Sequence, residues 1–457
     1  VDNPTAQAVI EELKATSPSH VKVAVTDIDG VLRGKYLATE KFLSAVDAGF
    51  GFCNVVFGWD SNDQCYDNTT YTGWQSGYPD AEVRIDLSTH RRIPWEDDRH
   101  FFLGQFAGPG DTRHDVCPRS MLGHVLERAE AMGVVPQVGM EFEWFNFAET
   151  THSLHAGRFV DPQPLTPGMF GYSIARQALN QPYFDALLSE LTAFGVPLEG
   201  LHTETGPGVF EAAISYGEAL GAADRGVLFK SGVKEIATRF GITPTFMARW
   251  NTALPGCSGH VHQSLRSAAT GQGLFHDAAA PHVMSATFRS YLAGILTLLP
   301  ELLALLAPTV NSYKRLVDGF WAPTHPTWGV DNRTVAARVI GGGASSTRLE
   351  LRVPGADVNP YLAVAVGVAA GLWGIERGLE LDAVPVVGNG YDLGSDAAPR
   401  FARTLQEATA ALAGSTIAPE LFGPAFVEHF VQTREWEWRQ FGEAVTDWEL
   451  RRYLEII

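Results

Sequence analysis

Four segments between residues 138 and 353 alternate apolar and polar side chains with a period of two, and this alternation constrains the fold more than any other feature of the chain. A period of two is that of a β-strand, so each segment presents one apolar face and one polar face. VGMEFEWF sets Glu141 and Glu143 on the face away from Phe142 and Trp144, and RLELRV sets Arg348, Glu350 and Arg352 away from Leu349, Leu351 and Val353. HVHQSL, behind the small residues of PGCSG, carries His260 and His262 on one face, and in LHTETGPGVFEAAIS a Gly/Pro turn brings Glu204 close to Glu211. Any one of these segments alone describes a half-buried strand with a wet face. If the polar faces converge, the glutamates and His260 form two oxygen-rich sites suited to hard divalent cations such as Mg²⁺ or Mn²⁺. No cysteine cluster or paired-histidine helix supports zinc.

The intervening chain reads as helix and strand in alternation. RSMLGHVLERAEAMG has helical periodicity stopped by Gly133, and Asn359-Pro360 is an N-cap followed by proline at the first helical position, opening the apolar stretch at Tyr361. Of the two longest apolar runs, SYLAGILTLLPELLALLAPTV is broken by Pro300 and Glu301 and YLAVAVGVAAGLWGI is too short to span a bilayer; both are expected as buried helices. Earlier in the chain, a short amphipathic helix near Gln7 to Ala15 precedes VKVAVTDIDGVLRGKYL, whose alternation around Asp29-Gly30 predicts a tight β-hairpin. An aromatic, turn-rich stretch follows through Trp59, Tyr66, Tyr71 and Trp74. The polar GPGDTRHD at 108–115 marks the expected boundary between a domain of residues 1–113 and one of residues 114–457.

The 34 Lys and Arg against 52 Asp and Glu leave a formal charge of −18, a field that repels nucleic acid and anionic membranes. Cys53, Cys65, Cys117 and Cys257 have no close paired spacing, which predicts no disulfide framework and fits a reducing cytoplasm. VDNPTAQAVIEELKA has neither a basic start nor an apolar signal core, so export is not expected. Against the acidic background, NSYKRLVDGFWAPTHPTWGVDNRTVAARV at 311–339 sets Lys314, Arg315, Arg333 and Arg338 around a Gly/Pro-punctuated loop bearing Trp321. A basic pocket of this kind calls for an anionic ligand.

The stretches GMEFEWF, HTETGPGVFEAAIS, FMARWNTALPGCSGHVHQSL, NSYKRL and RLELRVPGADVNPYLA resemble, in order, the successive active-site motifs of the glutamine synthetase superfamily, and within it the γ-glutamyl-amine ligases. They cover nearly all of the chain beyond residue 115. The N-terminal part is similar less closely, through RGKYL, FGWDSND and GYPD. The resemblance implies an α+β fold in which a small β-grasp-like N-terminal domain precedes a glutamine synthetase-type α/β open-barrel catalytic domain, assembled as a dodecamer of two hexameric rings. It also implies roles residue by residue. Glu143, Glu204 and Glu211 would hold the cation nearer L-glutamate, and Glu141, His260 and Glu350 the one among the ATP phosphates. His262 and Ser264 would lie beside the nucleotide, and Gly256 beside the glutamate. Arg315 would pair with the α-carboxylate, Arg333 and Arg338 with phosphate oxygens, and Arg352 with the γ-carboxylate or its phosphoryl group. Planar arginine forks suit these partners, which accept paired, charge-assisted hydrogen bonds. Asp60 in FGWDSND matches the aspartate that the family supplies from the neighbouring subunit.

The chemistry so implied begins with ATP phosphorylating the glutamate side chain, after which an amine attacks the acyl phosphate. Where glutamine synthetases carry a flap glutamate, between a Gly-aromatic pair and Ala-Pro, this chain has Trp321. An indole there removes a negative charge from the ammonium site and offers apolar contact and a cation-attracting face, which predicts a small organic amine as nucleophile. Packing among Phe320, Ala322 and Pro323 is the plainer reading of the same residue, and Trp328 is a candidate second wall. Val209 and Arg249 also depart from the family, standing where glutamine and lysine are usual. The leading expectation is an ATP-dependent glutamate–amine ligase; the alternatives are a true glutamine synthetase using ammonia and a non-catalytic scaffold. Tyr391 in GNGYDLG resembles the adenylylated tyrosine loop of bacterial glutamine synthetases, although Asn-Gly-Tyr-Asp reads first as an ordinary turn.

Overall fold

The period-two segments are strands, and those from 134 onward share one sheet. The computed structural model describes residues 5–393 and 398–457. The first sheet is built from β1 (His20–Thr26), β2 (Leu32–Ala38), β3 (Phe50–Cys53), β4 (Asp80–Ile93) and β5 (Arg99–Phe106), in the order β2-β1-β5-β4-β3. The second comprises β6 (Val134–Phe147), β7 (Leu198–Thr203), β8 (Val209–Ile214), β9 (Gly217–Glu218), β10 (Thr243–Thr245), β11 (Gly259–Ser267), β12 (Trp328–Val330), β13 (Ala337–Ile340) and β14 (Arg348–Leu351). Its main path is β12-β13-β14-β11-β6-β8-β7, with β9 and β10 also paired to β6. Antiparallel pairing predominates; β1 with β5 and β12 with β13 are the parallel pairs.

The apolar faces of the two sheets feed separate cores. Val21, Val23, Val25 and Phe102 join Val9, Leu13 and Phe42 from the helices Ala6–Thr16 and Thr39–Ala48 that cover the first sheet. Phe142 and Trp144 of β6 pack with Phe229 and Phe246 in the larger core, which also takes in Ala24 and Phe101 from the first sheet and Ile28 from the loop after β1. That shared core locks the N-terminal sheet against the second.

Two expectations need correction. The β1–β2 connection is a five-residue loop, Asp27 to Val31, rather than a tight turn. The Asp27 carboxylate makes the longer loop, accepting from the backbone N–H of Asp29 at 3.0 Å and of Val31 at 2.9 Å, the short-range bonding by which aspartate sets loop geometry. The apolar run at 290–310 is not broken by Pro300, because one helix continues from Ala286 to Leu306. Proline inside a helix costs about 3 kcal/mol, and the fully buried leucines around it, including Leu298, Leu302 and Leu303, each contribute about 1.5–3 kcal/mol on burial. This helix is long and apolar enough to cross a membrane by composition, but most of it is buried inside the fold. It packs on the helix Pro360–Glu376 at a close crossing, where a Cβ on Gly294 or Gly374 would meet a carbonyl oxygen of the other helix at 2.2 Å. As expected, Asn359 caps the second helix, its Oδ1 accepting from Tyr361 N–H at 3.0 Å. Its Nδ2 donates to Ile28 O at 3.1 Å, docking the β1–β2 loop on the N-terminus of this helix.

Candidate active site

Strand β6 runs through the middle of the second sheet, and its register creates the site. Glu143 lies directly opposite Glu211 on β8, Glu141 opposite His260 on β11, and His262 opposite Glu350 on β14. Arg338 on β13 flanks Glu350 from the other side. Like charges directly opposite in a sheet are destabilising, so the Glu143–Glu211 pair calls for a compensating positive charge or a retained proton. Burial and then the Glu211 carboxylate push Glu143 up to about 7; burial, opposed by His202, also raises Glu211. Around Glu141 and Glu350 the balance reverses. Burial raises both, but His260 and His262 hold Glu141 well below the carboxylate range, and His260 with Arg352 holds Glu350 at about 2.

Two groups of ligating atoms result, each within 4.8 Å: Glu141 with His260 and Glu350, and His202 with Glu204 and Glu211. His260 Nδ1 lies 3.4 Å from Glu350 Oε1, and His202 Nε2 3.3 Å from Glu211 Oε2. The Nε2 atoms of His202, His260 and His262 are nonetheless buried without an aligned hydrogen-bond partner. Buried polar atoms lacking partners are costly, and a divalent cation beside the Glu204 and Glu211 carboxylates would satisfy His202 Nε2. Glu143 borders the second group, its Oε2 accepting from Ser258 N–H at 2.7 Å. The donor set, rich in carboxylate and free of thiolate, fits a hard cation.

These groups open into a cleft of about 600 Å³ whose wall includes Gly256, Arg315, Trp321, Arg333, Arg338 and Arg352. Glu350 lies just beneath, 1% exposed, with Arg338 donating to it at 2.7 Å and Arg352 also bonded to it. Arg315 is held by the carbonyls of Val353 at 2.9 Å and Arg352 at 3.2 Å. Position 256 must be glycine for that packing: a Cβ there would sit 2.2 Å from the Ala248 carbonyl oxygen and 2.8 Å from Arg315 Cγ. A second cavity of about 270 Å³ shares Glu141, His262 and Arg348 with the cleft and has Ser264 and Tyr216 in its wall. Trp321 is 56% exposed and sits in the left-handed backbone region at φ +62°, a conformation rare for a bulky residue.

Not every expected residue comes to the cleft. Asp60 closes a turn, accepting from the N–H groups of Asn62 and Gln64 at 2.9 Å, and takes a further hydrogen bond from Trp436 Nε1 at 3.0 Å; within one chain it stands apart from the cleft wall. Trp328 is no second wall, because β12 buries it and its Nε1 donates to Ala383 O at 2.7 Å. Lys314 is exposed and turns to the Phe441 ring, 5.6 Å away, while its neighbour Arg315 faces inward. Tyr391 sits in a turn, with Asn389 Oδ1 accepting from its N–H at 3.1 Å and its hydroxyl buried. The sequence reading passed over His202, Tyr172 and Arg348 as site residues. His202 stands two positions before Glu204 on β7's side of the same turn, so the period of two signals it. Tyr172 lies in an irregular connection and carries no such signal; its N–H bonds Thr203 O at 2.7 Å and its ring stacks on His202 at 4.6 Å. Arg348 shares the charged face of β14 and donates to His262 Nδ1 at 3.2 Å.

Two carboxylate–histidine clusters that share a cleft with several arginines suit an enzyme of metal-assisted phosphoryl transfer. The sequence model of the glutamine synthetase catalytic domain matches residues 115–453. Among curated relatives, type-1 glutamine synthetase 2 of Dictyostelium discoideum is 52% identical over 98% of this chain and 86% of its own length. The glutamate–isopropylamine ligase of a Pseudomonas species is 37% identical over 96% of this chain and 95% of its own. The solved structure of a GmaS–ADP complex superposes with a TM-score of 0.85 at 27% identity, covering 98% of this chain and 99% of that one. The chain belongs to the glutamine synthetase family of ATP-dependent ligases.

Proposed function

We propose that this enzyme uses ATP to join the γ-carboxylate of L-glutamate to a small organic amine through a γ-glutamyl phosphate. The observation that carries the reading is Trp321. It stands in the wall of the cleft that His202, Glu204 and Glu211 also line, at the flap position where the resemblance expects a glutamate to hold ammonium. Similarity to a glutamate–isopropylamine ligase over nearly the whole chain supports it.

In this reading Glu143, Glu204 and Glu211, joined by His202, hold the cation next to glutamate, and Glu141, His260 and Glu350 the one next to ATP, with Mg²⁺ or Mn²⁺ as the ion. When bound, the cations offset charge on the transferring phosphoryl group. Arg315 anchors the α-carboxylate, Arg333 and Arg338 orient phosphate oxygens, and Arg352 orients the γ-carboxylate. His262 and Ser264 border the nucleotide in the smaller cavity. An amine must lose a proton before it attacks, and Asp60 from a neighbouring copy in a dodecamer is the assigned acceptor. We place the domain boundary at 113/114, with a β-grasp-like N-terminal domain, and the enzyme in the cytoplasm, which its four free thiols suit. A true glutamine synthetase is the second reading, favoured by the 52% identity to a protein of that name.

The deciding experiment is phosphate release with ATP, Mg²⁺ or Mn²⁺, glutamate, and a panel of ammonia, alkylamines, aromatic amines, amino alcohols and polyamines. An organic amine is expected to exceed ammonia in kcat/KM; ammonia matching every amine would leave the glutamine synthetase reading. A second expectation follows from Arg315. Arg315→Lys keeps the charge but loses the planar fork, and losing a charge-assisted bond of about 1.5–3 kcal/mol raises the glutamate KM by about 10- to 100-fold. The ATP KM should move little. An unchanged glutamate KM would place the α-carboxylate elsewhere.

A further inference from the structure

Arg249 is 8% exposed and contributes nothing to the cleft wall. Its guanidinium is nonetheless bonded in every direction to main-chain carbonyls. Nε donates to Leu254 at 2.9 Å and Asn251 at 3.3 Å, Nη2 to Thr252 at 2.7 Å, and Nη1 to Lys314 at 2.7 Å. Its own backbone is clamped by Asn311, whose side chain bonds Arg249 N–H at 2.8 Å and Arg249 O at 2.7 Å. Arg249 Cζ lies over the Phe320 ring, 4.2 Å from its centre, within the range of a cation–π contact. Phe320 precedes Trp321, and Lys314 precedes Arg315.

One buried side chain therefore ties together the loop leading to Gly256, the residue before the glutamate anchor, and the residue before the exposed indole. A planar fork can meet several carbonyls while stacking its face on a ring; a lysine ammonium has no such face. Arg249 and Trp321 are thus joined through Phe320. A bulky residue held at φ +62° costs backbone free energy of order 1–3 kcal/mol and persists only where its surroundings over-determine it.

We infer that Arg249 is a positioning residue that holds Trp321 over the amine side of the cleft by bracing Phe320, and so sets amine selectivity without touching substrate. The amine part of this inference rests on the function proposed above; the bracing of the flap does not. Both are tested on the full-length protein. Arg249→Lys keeps the positive charge while losing the planar fork, and is expected to fold. Hydrogen exchange in the ligand-free enzyme should rise at residues 316–323 in Arg249→Lys and in Phe320→Leu while residues 134–147 stay protected. In Arg249→Lys the KM of the preferred amine should rise about tenfold with kcat and the ATP KM within about twofold, the signature of a lost binding contact. The double variant should be no worse than Arg249→Lys alone, because both changes remove one contact. Unchanged exchange at 316–323 in both variants overturns the bracing. Raised exchange with an unmoved amine KM overturns the link to selectivity. Should ammonia prove the only nucleophile of the wild type, the amine reading and the selectivity role fail together, and the exchange data alone decide whether Arg249 braces the flap.

Discussion

Glu211→Ala is expected to abolish turnover while leaving the fold intact. Glu211 faces Glu143 across the β6–β8 pair and belongs to the His202, Glu204 and Glu211 group, so its loss removes an anionic ligand from a site with few substitutes. Metal stabilisation of phosphoryl-transfer charge is worth several kcal/mol, and a loss of about 4 kcal/mol is a factor of about a thousand in rate. Glu143→Ala should behave alike, and EDTA-treated wild type should be inactive until Mg²⁺ or Mn²⁺ is restored. Full activity in either variant at saturating Mn²⁺ would refute the assignment. The same pair predicts a pH dependence. Burial and Glu211 push Glu143 up to about 7, so without a cation it keeps its proton below that pH. A cation needs the carboxylate, so binding must release the proton. Mn²⁺ affinity measured by calorimetry should therefore strengthen as pH rises toward about 7 and level off above it, with proton release on the acidic side. Affinity that is flat across this range would mean that Glu143 does not titrate against the ion.

Exchanging Trp321 for glutamate should move selectivity toward ammonia. The side chain stands in the cleft wall with over half its surface exposed, so a substrate can cover it. Each methylene packed against the indole contributes about 0.8 kcal/mol, roughly fourfold in kcat/KM, and a three-carbon amine in full contact would prefer the wild type by about 50-fold. Trp321→Glu removes that contact and offers a carboxylate to hold ammonium and accept its proton. The left-handed backbone at this position is no easier for glutamate than for tryptophan, so the gain for ammonia should be smaller than the loss for the amine. Trp321→Ala separates the two effects, losing the amine preference without gaining ammonia activity. An amine-to-ammonia ratio that stays the same in Trp321→Ala would show that the indole only packs the loop.

Local pattern made much of this protein legible. Alternation in VGMEFEWF, HVHQSL and RLELRV is a property of neighbouring residues, so it marks strands and their charged faces wherever those strands end up. Asn359-Pro360 caps a helix for a reason contained in two residues. The Pro300 expectation failed because a local penalty was outweighed by burial contributed from elsewhere in the chain. Trp328 failed for the same reason, since whether an indole faces a cleft or a core depends on what packs over it.

The sequence by itself determined the strand segments, their carboxylate, histidine and arginine faces, and, through the order of its motifs, the family. Tertiary structure decided which faces oppose which. The registers that set Glu143 against Glu211, Glu141 against His260 and His262 against Glu350 pair strands separated by long stretches of chain. Only the closing of the sheet over its core fixes those registers, because a slip of one residue would turn every one of these side chains to the other face. The same closure recruited His202 and Tyr172 to the cleft and buried Arg249 behind the flap.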